Sequence, residues 1–335
     1  MKSHRNIPFF VPHAGCPNCC VFCSQVKITG QSFEKNPETE LKELQNLLDD
    51  CSFETKESQI AFFGGSFTAI ERKRMESLLG VAREYIEKGV AESVRISTRP
   101  DCIDEEILDI LEEYGVRNIE LGVQSTNDSV LSASERGHKA FRSFDAAKLL
   151  TKRGFVFGGQ MMVGLPKSTM ETEIQTAEDI VSMGAKEARI YPTVVFEGTK
   201  LFEMAKRGEY IPLSLEEAVE RTAKCYRIFF ENGVKVLRVG LHSSENLSKA
   251  PLGANHPALG ELVKSRVYTD IIAERAFDAK NKILEIGIRS ADISMLCGHK
   301  KSALNRLKEQ TGAAEVVVRS LERPMCDPLV TTRSV

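Results

Sequence analysis

The sequence lacks both a long apolar run and a strong charge of either sign. No stretch approaches the roughly 18 apolar residues of a membrane-spanning helix, so we expect no membrane association. The formal net charge is −2 at pH 7, which provides no general attraction for nucleic acid. Residues 281–335 carry 9 Lys and Arg against 6 Asp and Glu, a weak excess that an ordinary solvated surface also explains.

We expect no secretion signal at the N-terminus. The apolar run at residues 7–11 is shorter than the ~7–15 residues of a signal core, and Pro8 and Pro12 interrupt it, although "HAGC" resembles the end of a lipoprotein signal. We therefore expect a cytoplasmic location, where disulfides are rare. Neither a lipid anchor nor a disulfide then explains the four cysteines at residues 16–23.

Strand and helix patterns alternate along the first two thirds of the chain. The predicted strands are 7–11, 59–65, 93–98, 118–125, 155–166, 187–195 and 234–241, and helical patterns separate them. About six such repeats favour an α/β fold, a partial (β/α)6 TIM-like barrel with a parallel sheet, at residues 1–241. A polar connector begins at residue 242, and we expect a small appended α+β module at residues 242–335.

Conspicuous motifs follow five of these strands. They are the cysteines after the first strand, then "GGS", "STRP", "QS" and "GLP" after the next four. The carboxyl ends of parallel strands meet at one edge of the sheet, where α/β enzymes carry their active sites. Ordinary turns would not place such residues five times at the same edge, so we predict a functional site there.

The cysteine spacing narrows the chemistry. Cys16, Cys20 and Cys23 form C-x3-C-x2-C on one loop, and Cys19 gives a competing register with Cys16 and Cys23. A zinc site would usually need four paired ligands, and the sequence has no second cysteine pair and no His pair at ligand spacing. Three thiolates on a four-iron cluster would instead leave one iron open to a substrate or cofactor.

The pattern C-x3-C-x-Phe-C, with Phe22 just before Cys23, resembles the signature of the radical S-adenosylmethionine (radical SAM) enzymes. The position of Phe22 favours Cys20 over Cys19 in that signature. The resemblance implies two cofactors, a 4Fe-4S cluster held by Cys16, Cys20 and Cys23, and S-adenosyl-L-methionine.

The other motifs extend this resemblance. "FFGGSF" lies where the superfamily has a Gly-Gly-Glu loop that meets the methionine amine, with Ser66 in place of the Glu. Arg99 could grip the cofactor carboxylate, or it could be a structural arginine paired with an Asp. The implied cofactor contacts are Phe22, Gly64, Gly65, Ser66, Ser97, Arg99, Gln124, Gly164, Leu165 and Pro166. No catalytic acid or base is assigned.

"STRPD", "VQS", "RGH", "GLP" and "IYPTVVFEGTKL" together resemble the catalytic-subunit branch of Elongator, which modifies the wobble uridine of tRNA. The resemblance covers roughly residues 5 to 335. Full-length members continue into an acetyltransferase domain, which is not in this sequence, and we therefore expect no acetyl transfer by this polypeptide.

The resemblance implies a radical enzyme in which the reduced cluster cleaves S-adenosylmethionine to a 5′-deoxyadenosyl radical. It also implies oxygen sensitivity and an external one-electron donor of the flavodoxin or ferredoxin type. The substrate could be tRNA, helped by Lys300, Lys301, Arg306 and Lys308 on one predicted helical segment. The alternatives are a small-molecule or peptide substrate, or a non-enzymatic iron-sulfur protein, which would not need the cofactor motifs.

Overall fold

The computed structural model describes residues 5–11, 16, 19–23, 36–51, 58–241, 250–298, 301–324 and 327–335. The chain divides into two units. Unit 1 comprises Met1–Leu213 with Ile228–Asn255, and unit 2 comprises Ser214–Arg227 with His256–Val335. The predicted domain boundary between residues 241 and 242 falls inside the second segment of unit 1, and the assignment of domains stays a prediction.

Unit 1 is built on a parallel seven-stranded sheet. Its strands are β1 (Arg5–Val11), β2 (Ser58–Gly64), β3 (Ser93–Thr98), β4 (Val116–Gln124), β5 (Val156–Val163), β6 (Glu187–Pro192) and β8 (Lys235–Val239), and they lie side by side in that order. Every neighbouring pair is parallel. The strands β7 (Val194–Val195) and β9 (Leu252–Gly253) form a separate, short antiparallel pair.

Helices connect the parallel strands. They are α1 (Pro37–Asp49), α2 (Arg72–Glu87), α3 (Glu105–Glu113), α4 (Asp128–Ala133), α5 (Phe141–Lys152), α6 (Met170–Ser182), α7 (Lys200–Lys206) and α8 (Leu215–Glu231). Several of these helices begin at a side chain that accepts a hydrogen bond from a free backbone N–H group. Asn36 caps α1, Asp104 caps α3, and Thr169 forms a capping box on α6. These local signals set where α1, α3 and α6 begin.

The sheet is curled, as its side-chain contacts show. Arg95 on β3 donates from Nη1 to Oε2 of Glu187 on β6 at 2.7 Å, although two strands separate them. The guanidinium of Arg189 on β6 lies 5.1 Å from the ring centroid of Phe63 on β2. Side chains on strands this far apart meet only across a concave face. That face is the interior of a partial barrel, here called the lumen, and the predicted fold class is confirmed.

Unit 2 contains a separate three-stranded sheet. The middle strand β10 (Ile283–Ile288) is parallel to β11 (Glu315–Ser320) and antiparallel to β12 (Leu329–Arg333). Unit 2 also contains most of α8 and the helices α9 (Leu259–Arg275), α10 (Ser290–Cys297) and α11 (Ser302–Thr311). Leu296 and Leu307 are fully buried in its core. These helices and strands agree with the α+β character expected for this region, and β12 alternates between exposed and half-buried residues.

In the described ranges, none of the helices combines the length and the apolar character needed to cross a membrane.

Candidate active site

The loop that carries the cysteines is tied to two other elements. The Val21 N–H donates to the carbonyl of Ser134 at 3.1 Å, and the Leu201 N–H donates to the carbonyl of Val21 at 2.9 Å. Phe22 packs against an apolar cluster that includes Val21, Leu201 and Tyr210. The predicted cofactor contact Phe22 therefore also anchors this loop by apolar packing.

The two candidate cysteine registers have different environments. Cys20 is buried, with 7% of its surface exposed, whereas Cys19 is exposed and Cys16 and Cys23 are half-buried. Burial, followed by the nearby charges of Cys20 and Cys16, raises the pKa of the Cys23 thiol to about 12. Burial also raises the pKa of Cys16, against the opposing influence of the Ser66 backbone and Arg136. The three thiols are close enough to influence one another's charge.

These thiols do not form a ready-made coordination set. Within the described parts of the chain, no group of three or more His, Cys, Asp or Glu side chains is arranged to hold a metal ion. The assignment of Cys16, Cys20 and Cys23 as cluster ligands therefore stays a prediction, supported by their electrostatic proximity.

Arg136 connects the cysteine loop to β4. Its Nη1 donates to Sγ of Cys20 at 3.4 Å, and its Nη2 donates to the carbonyl of Gly122 at 2.5 Å. A Cβ at Gly122 would lie 2.9 Å from Nη2, so the close approach needs a residue without a side chain. Sequence reasoning quoted Arg136 only within "ERGH" and did not single it out. Nothing in the local sequence indicates that it reaches a residue 116 positions earlier.

The glycine loop after β2 approaches β1 closely. Gly64 has φ +132°, and a Cβ there would lie 2.1 Å from the carbonyl oxygen of Val11. Gly65 and Ser66 line a small crevice beside Val11. Only glycine at position 64 allows both this conformation and this contact.

Ser66, in the place of the superfamily's Glu, makes internal hydrogen bonds. Its side chain is buried, its Oγ lies 2.8 Å from Oγ1 of Thr98, and it accepts from the Arg99 N–H at 3.2 Å. Thr68 and Thr98 extend this hydroxyl chain, with their oxygens 2.6 Å apart. Ser66 thus holds the glycine loop to the end of β3.

Arg99 forms an ion pair with Asp101, as expected if it is a structural arginine. Its Nε and Nη2 donate to the two carboxylate oxygens of Asp101 at 2.9 and 2.8 Å, and Nη2 also donates to the carbonyl of Arg136 at 2.6 Å. Its Nη1 is buried and has no hydrogen-bond partner among the described residues. One donor therefore remains for a ligand.

Gln124 ends β4 in a strained conformation. Its φ is +65°, in the left-handed region, and the pairing of β4 with β5 shifts register between Gly122 and Gln124. Its Oε1 is buried and has no partner within the described chain. Such strain is common at functional sites. It supports a functional role for Gln124, which only the family resemblance had implied.

The turn after β5 is held through both backbone groups of Gly164. Its N–H donates to Oε1 of Glu173 at 2.6 Å, and its carbonyl accepts from the hydroxyl of Tyr210 at 2.6 Å. Gly164 has φ +81°, and Leu165 and Pro166 are buried. Gly164, Leu165 and Pro166, three of the implied cofactor contacts, thus form a rigid turn.

Several buried polar atoms at this edge of the sheet lack partners in the described chain. They are Nη1 of Arg99, Oε1 of Gln124, Nε of Arg136 and Nε2 of His138. Unpartnered buried polar groups cost about 1–3 kcal/mol each, so their concentration calls for a polar ligand. A polar cofactor with amine, carboxylate and nucleoside groups fits such residues, and the thiols fit an iron-sulfur cluster.

Comparisons with known proteins agree with this geometry. The family model "Radical SAM superfamily" matches residues 10–180, and "Radical_SAM C-terminal domain" matches residues 185–269. A tRNA uridine(34) acetyltransferase of Methanocaldococcus jannaschii is 29% identical over 211 residues, which cover 57% of this chain and 39% of that protein. An uncharacterised protein of the same organism is 32% identical over 206 residues, covering 60% of each chain.

A solved structure shares the fold. The archaeal Methanocaldococcus infernus Elp3, with an N-terminal deletion, superposes with a TM-score of 0.62 and 24% identity over 79% of this chain and 64% of that one. The chain therefore spans less than two thirds of the length of each of these relatives. Enzymes of the superfamily use a 4Fe-4S cluster and S-adenosylmethionine. Because the superfamily model covers just over half of the 335 residues and the barrel matches, this chain belongs to the radical SAM superfamily of enzymes.

Proposed function

We propose that the chain reductively cleaves S-adenosylmethionine at a 4Fe-4S cluster and acts in tRNA modification. The observation that carries the proposal is the meeting of Cys16, Cys20 and Cys23 with Arg136 and several unpartnered polar atoms at one edge of the sheet. When bound, the cluster would supply one electron to the sulfonium of S-adenosylmethionine, which gives methionine and the 5′-deoxyadenosyl radical.

The chain's own residues would bind and orient these groups. Cys16, Cys20 and Cys23 would hold the cluster, with Arg136 donating to the sulfur of Cys20. The glycine loop at Gly64 and Gly65 would present backbone groups to the methionine moiety. The rigid turn at Gly164 would flank the adenine, and buried apolar groups such as Leu165 would exclude water.

Reductive cleavage is tested by product release. Anaerobically reconstituted and chemically reduced protein, given S-adenosylmethionine, should release 5′-deoxyadenosine, measured by liquid chromatography. Cys20→Ala should release none, whereas Cys19→Ala, a matched control on an exposed neighbour, should behave as wild type. Equal release from both variants would reject the assigned site.

The tRNA substrate is supported by the relative named as a tRNA uridine(34) acetyltransferase and by the basic residues of unit 2. Lys308 on α11 and Lys301 just before it are exposed, while Leu304 and Leu307 of that helix pack into the core of unit 2. His299 and Lys300 lie outside the described residues. Phosphate contacts through such lysines raise affinity without reading sequence and weaken steeply with salt.

The proposed tRNA substrate is tested by measuring tRNA binding across a series of salt concentrations. Lys301→Glu/Lys308→Glu should weaken tRNA binding and reduce its salt dependence, because two phosphate contacts are lost. Lys148→Glu/Lys152→Glu makes the same charge change on exposed positions of α5 and should have a smaller effect. If wild-type protein binds no tRNA at low salt, a small-molecule or peptide substrate takes its place.

A further inference from the structure

The lumen of unit 1 contains a dense charged network that the cofactor site does not use. Glu120 on β4 accepts from Nη1 of Arg95 at 2.9 Å and from Nε2 of Gln160 at 2.7 Å. Arg189 on β6 donates from Nη2 to the same carboxylate at 3.0 Å. The oxygens of Glu120 are thus shared among two guanidinium groups and one amide.

Arg238 faces this network. It is the register partner of Arg189 in the parallel pairing of β6 with β8, so the two side chains leave the sheet on the same side. Arg189 projects into the lumen, because its guanidinium lies over the ring of Phe63 on a distant strand. Tyr191, two residues beyond Arg189, lies on the same face and interacts electrostatically with Arg238.

The charges of the lumen do not balance among the described strands. Three guanidinium groups, those of Arg95, Arg189 and Arg238, face two carboxylates, those of Glu120 and Glu187. Arg95 pairs with both carboxylates and Arg189 pairs with Glu120. Arg238 is half-buried and makes no hydrogen bond or ion pair with any residue that the structure describes.

A further anion near Arg238 would stabilise this arrangement. Burial lowers the pKa of Arg238 below its usual range, Tyr191 opposes the shift, and the like charge of Arg189 adds to it. A partly desolvated guanidinium beside another one is stabilised when an oxyanion occupies its planar fork. Hydrogen bonds connect this region to the predicted cofactor contact Ser97, whose Oγ accepts from Gln160 at 3.2 Å.

We propose that Arg238, with Tyr191 beside it, binds an oxyanion group of the substrate, a carboxylate or a phosphate, inside the lumen of unit 1. The inference rests on the proposed function, because it takes the lumen to hold a substrate next to the cofactor. It assigns to Arg238 a substrate-binding role separate from the cofactor contacts.

The test is arginine modification by phenylglyoxal, with adducts mapped by mass spectrometry on the full-length reconstituted protein. At constant ionic strength, inorganic phosphate or acetate should slow modification of Arg238 at least severalfold and leave exposed Arg142 unchanged. S-adenosylmethionine alone should not protect Arg238. Lack of protection by both anions would overturn the proposal, and protection by S-adenosylmethionine would assign Arg238 to the cofactor instead.

A second measurement uses variants. Phosphate or acetate, whichever protects Arg238, should bind roughly 10- to 100-fold more weakly to Arg238→Gln than to wild type, as expected for loss of a charged hydrogen bond. Arg238→Lys should retain part of the affinity, and Arg142→Gln should retain all of it. Equal affinity of wild type and Arg238→Gln would overturn the proposal. Because neither measurement needs radical chemistry, failure here is distinct from failure to release 5′-deoxyadenosine.

Discussion

At the scale of single residues, the site depends on side chains that reach across the fold. Arg136 bridges the cysteine loop and β4 through Sγ of Cys20 and the carbonyl of Gly122. Hydrogen bonds to cluster sulfurs and nearby positive charge raise the reduction potential of an iron-sulfur cluster. If Cys20 binds a cluster, we therefore expect Arg136 to raise the reduction potential of that cluster.

Arg136→Leu should lower the reduction potential of the reconstituted cluster by a shift on the order of 60 mV, the equivalent of about 1.4 kcal/mol for one electron. The measurement is a redox titration followed by electron paramagnetic resonance. The reduction potential of Arg136→Lys should lie between those of wild type and Arg136→Leu. Arg142→Leu, which changes an exposed arginine, should have the potential of wild type. An unchanged potential in Arg136→Leu would assign the arginine a purely structural role.

Gly64 tests the close approach of two strands. Gly64→Ala combines an unfavourable φ of +132° with a Cβ 2.1 Å from the carbonyl of Val11, whereas Gly89→Ala meets a φ of +77° in open space. Strain alone costs about 1–3 kcal/mol, so Gly64→Ala should destabilise the protein by more than Gly89→Ala does. Urea unfolding measures the stability of both variants. Equal losses of stability would show that β1 moves aside without a measurable free-energy cost.

At the scale of elements, α1 is joined to α2 by a hydrogen bond from the hydroxyl of Tyr85 to Oδ1 of Asp49 at 2.5 Å. This bond, together with smaller effects of burial and of the charges of Asp49 and Glu84, raises the pKa of Tyr85 from 10 to about 12. The unfolded chain therefore loses the tyrosine proton at a lower pH than the folded protein. The contribution to stability is complete below pH 10 and disappears as pH rises through 12.

Tyr85→Phe should lower the free energy of unfolding by about 1 kcal/mol at pH 8. The difference from wild type should shrink between pH 10 and pH 12, as measured by urea unfolding at each pH. Tyr114→Phe is the control, because the structure shows no hydrogen bond from its hydroxyl to a described residue. A difference that stays constant across this pH range would contradict the link between the two helices.

The elements themselves were largely predictable. Apolar runs such as residues 93–98 and capping residues such as Asp104 act locally, so the sequence alone predicted β3 and the start of α3. The strain at Gln124 and the contact of Arg136 with Cys20 depend on tertiary packing, which no local pattern encodes. Resemblance supplied Gln124 as a candidate, but its physical basis and the whole lumen network became visible only in the folded chain.

At the scale of the whole molecule, membership of the radical SAM superfamily and the partial barrel agree with each other. The sheet brings its loops to one edge, and its curvature creates a polar lumen beside them. In this arrangement the cysteine loop, the glycine loop and the turn at Gly164 surround one end of the lumen, with Arg238 facing its interior. We propose that this end holds an iron-sulfur cluster through Cys16, Cys20 and Cys23.

The most direct test is anaerobic reconstitution with iron and sulfide, followed by iron analysis and electron paramagnetic resonance of the reduced protein. Wild type and Cys19→Ala should bind about four irons per chain, and their spectra should change when S-adenosylmethionine is added. Cys16→Ala, Cys20→Ala and Cys23→Ala should each lose the cluster. A cluster that survives in Cys20→Ala and is lost in Cys19→Ala would show that Cys19, and not Cys20, is the ligand.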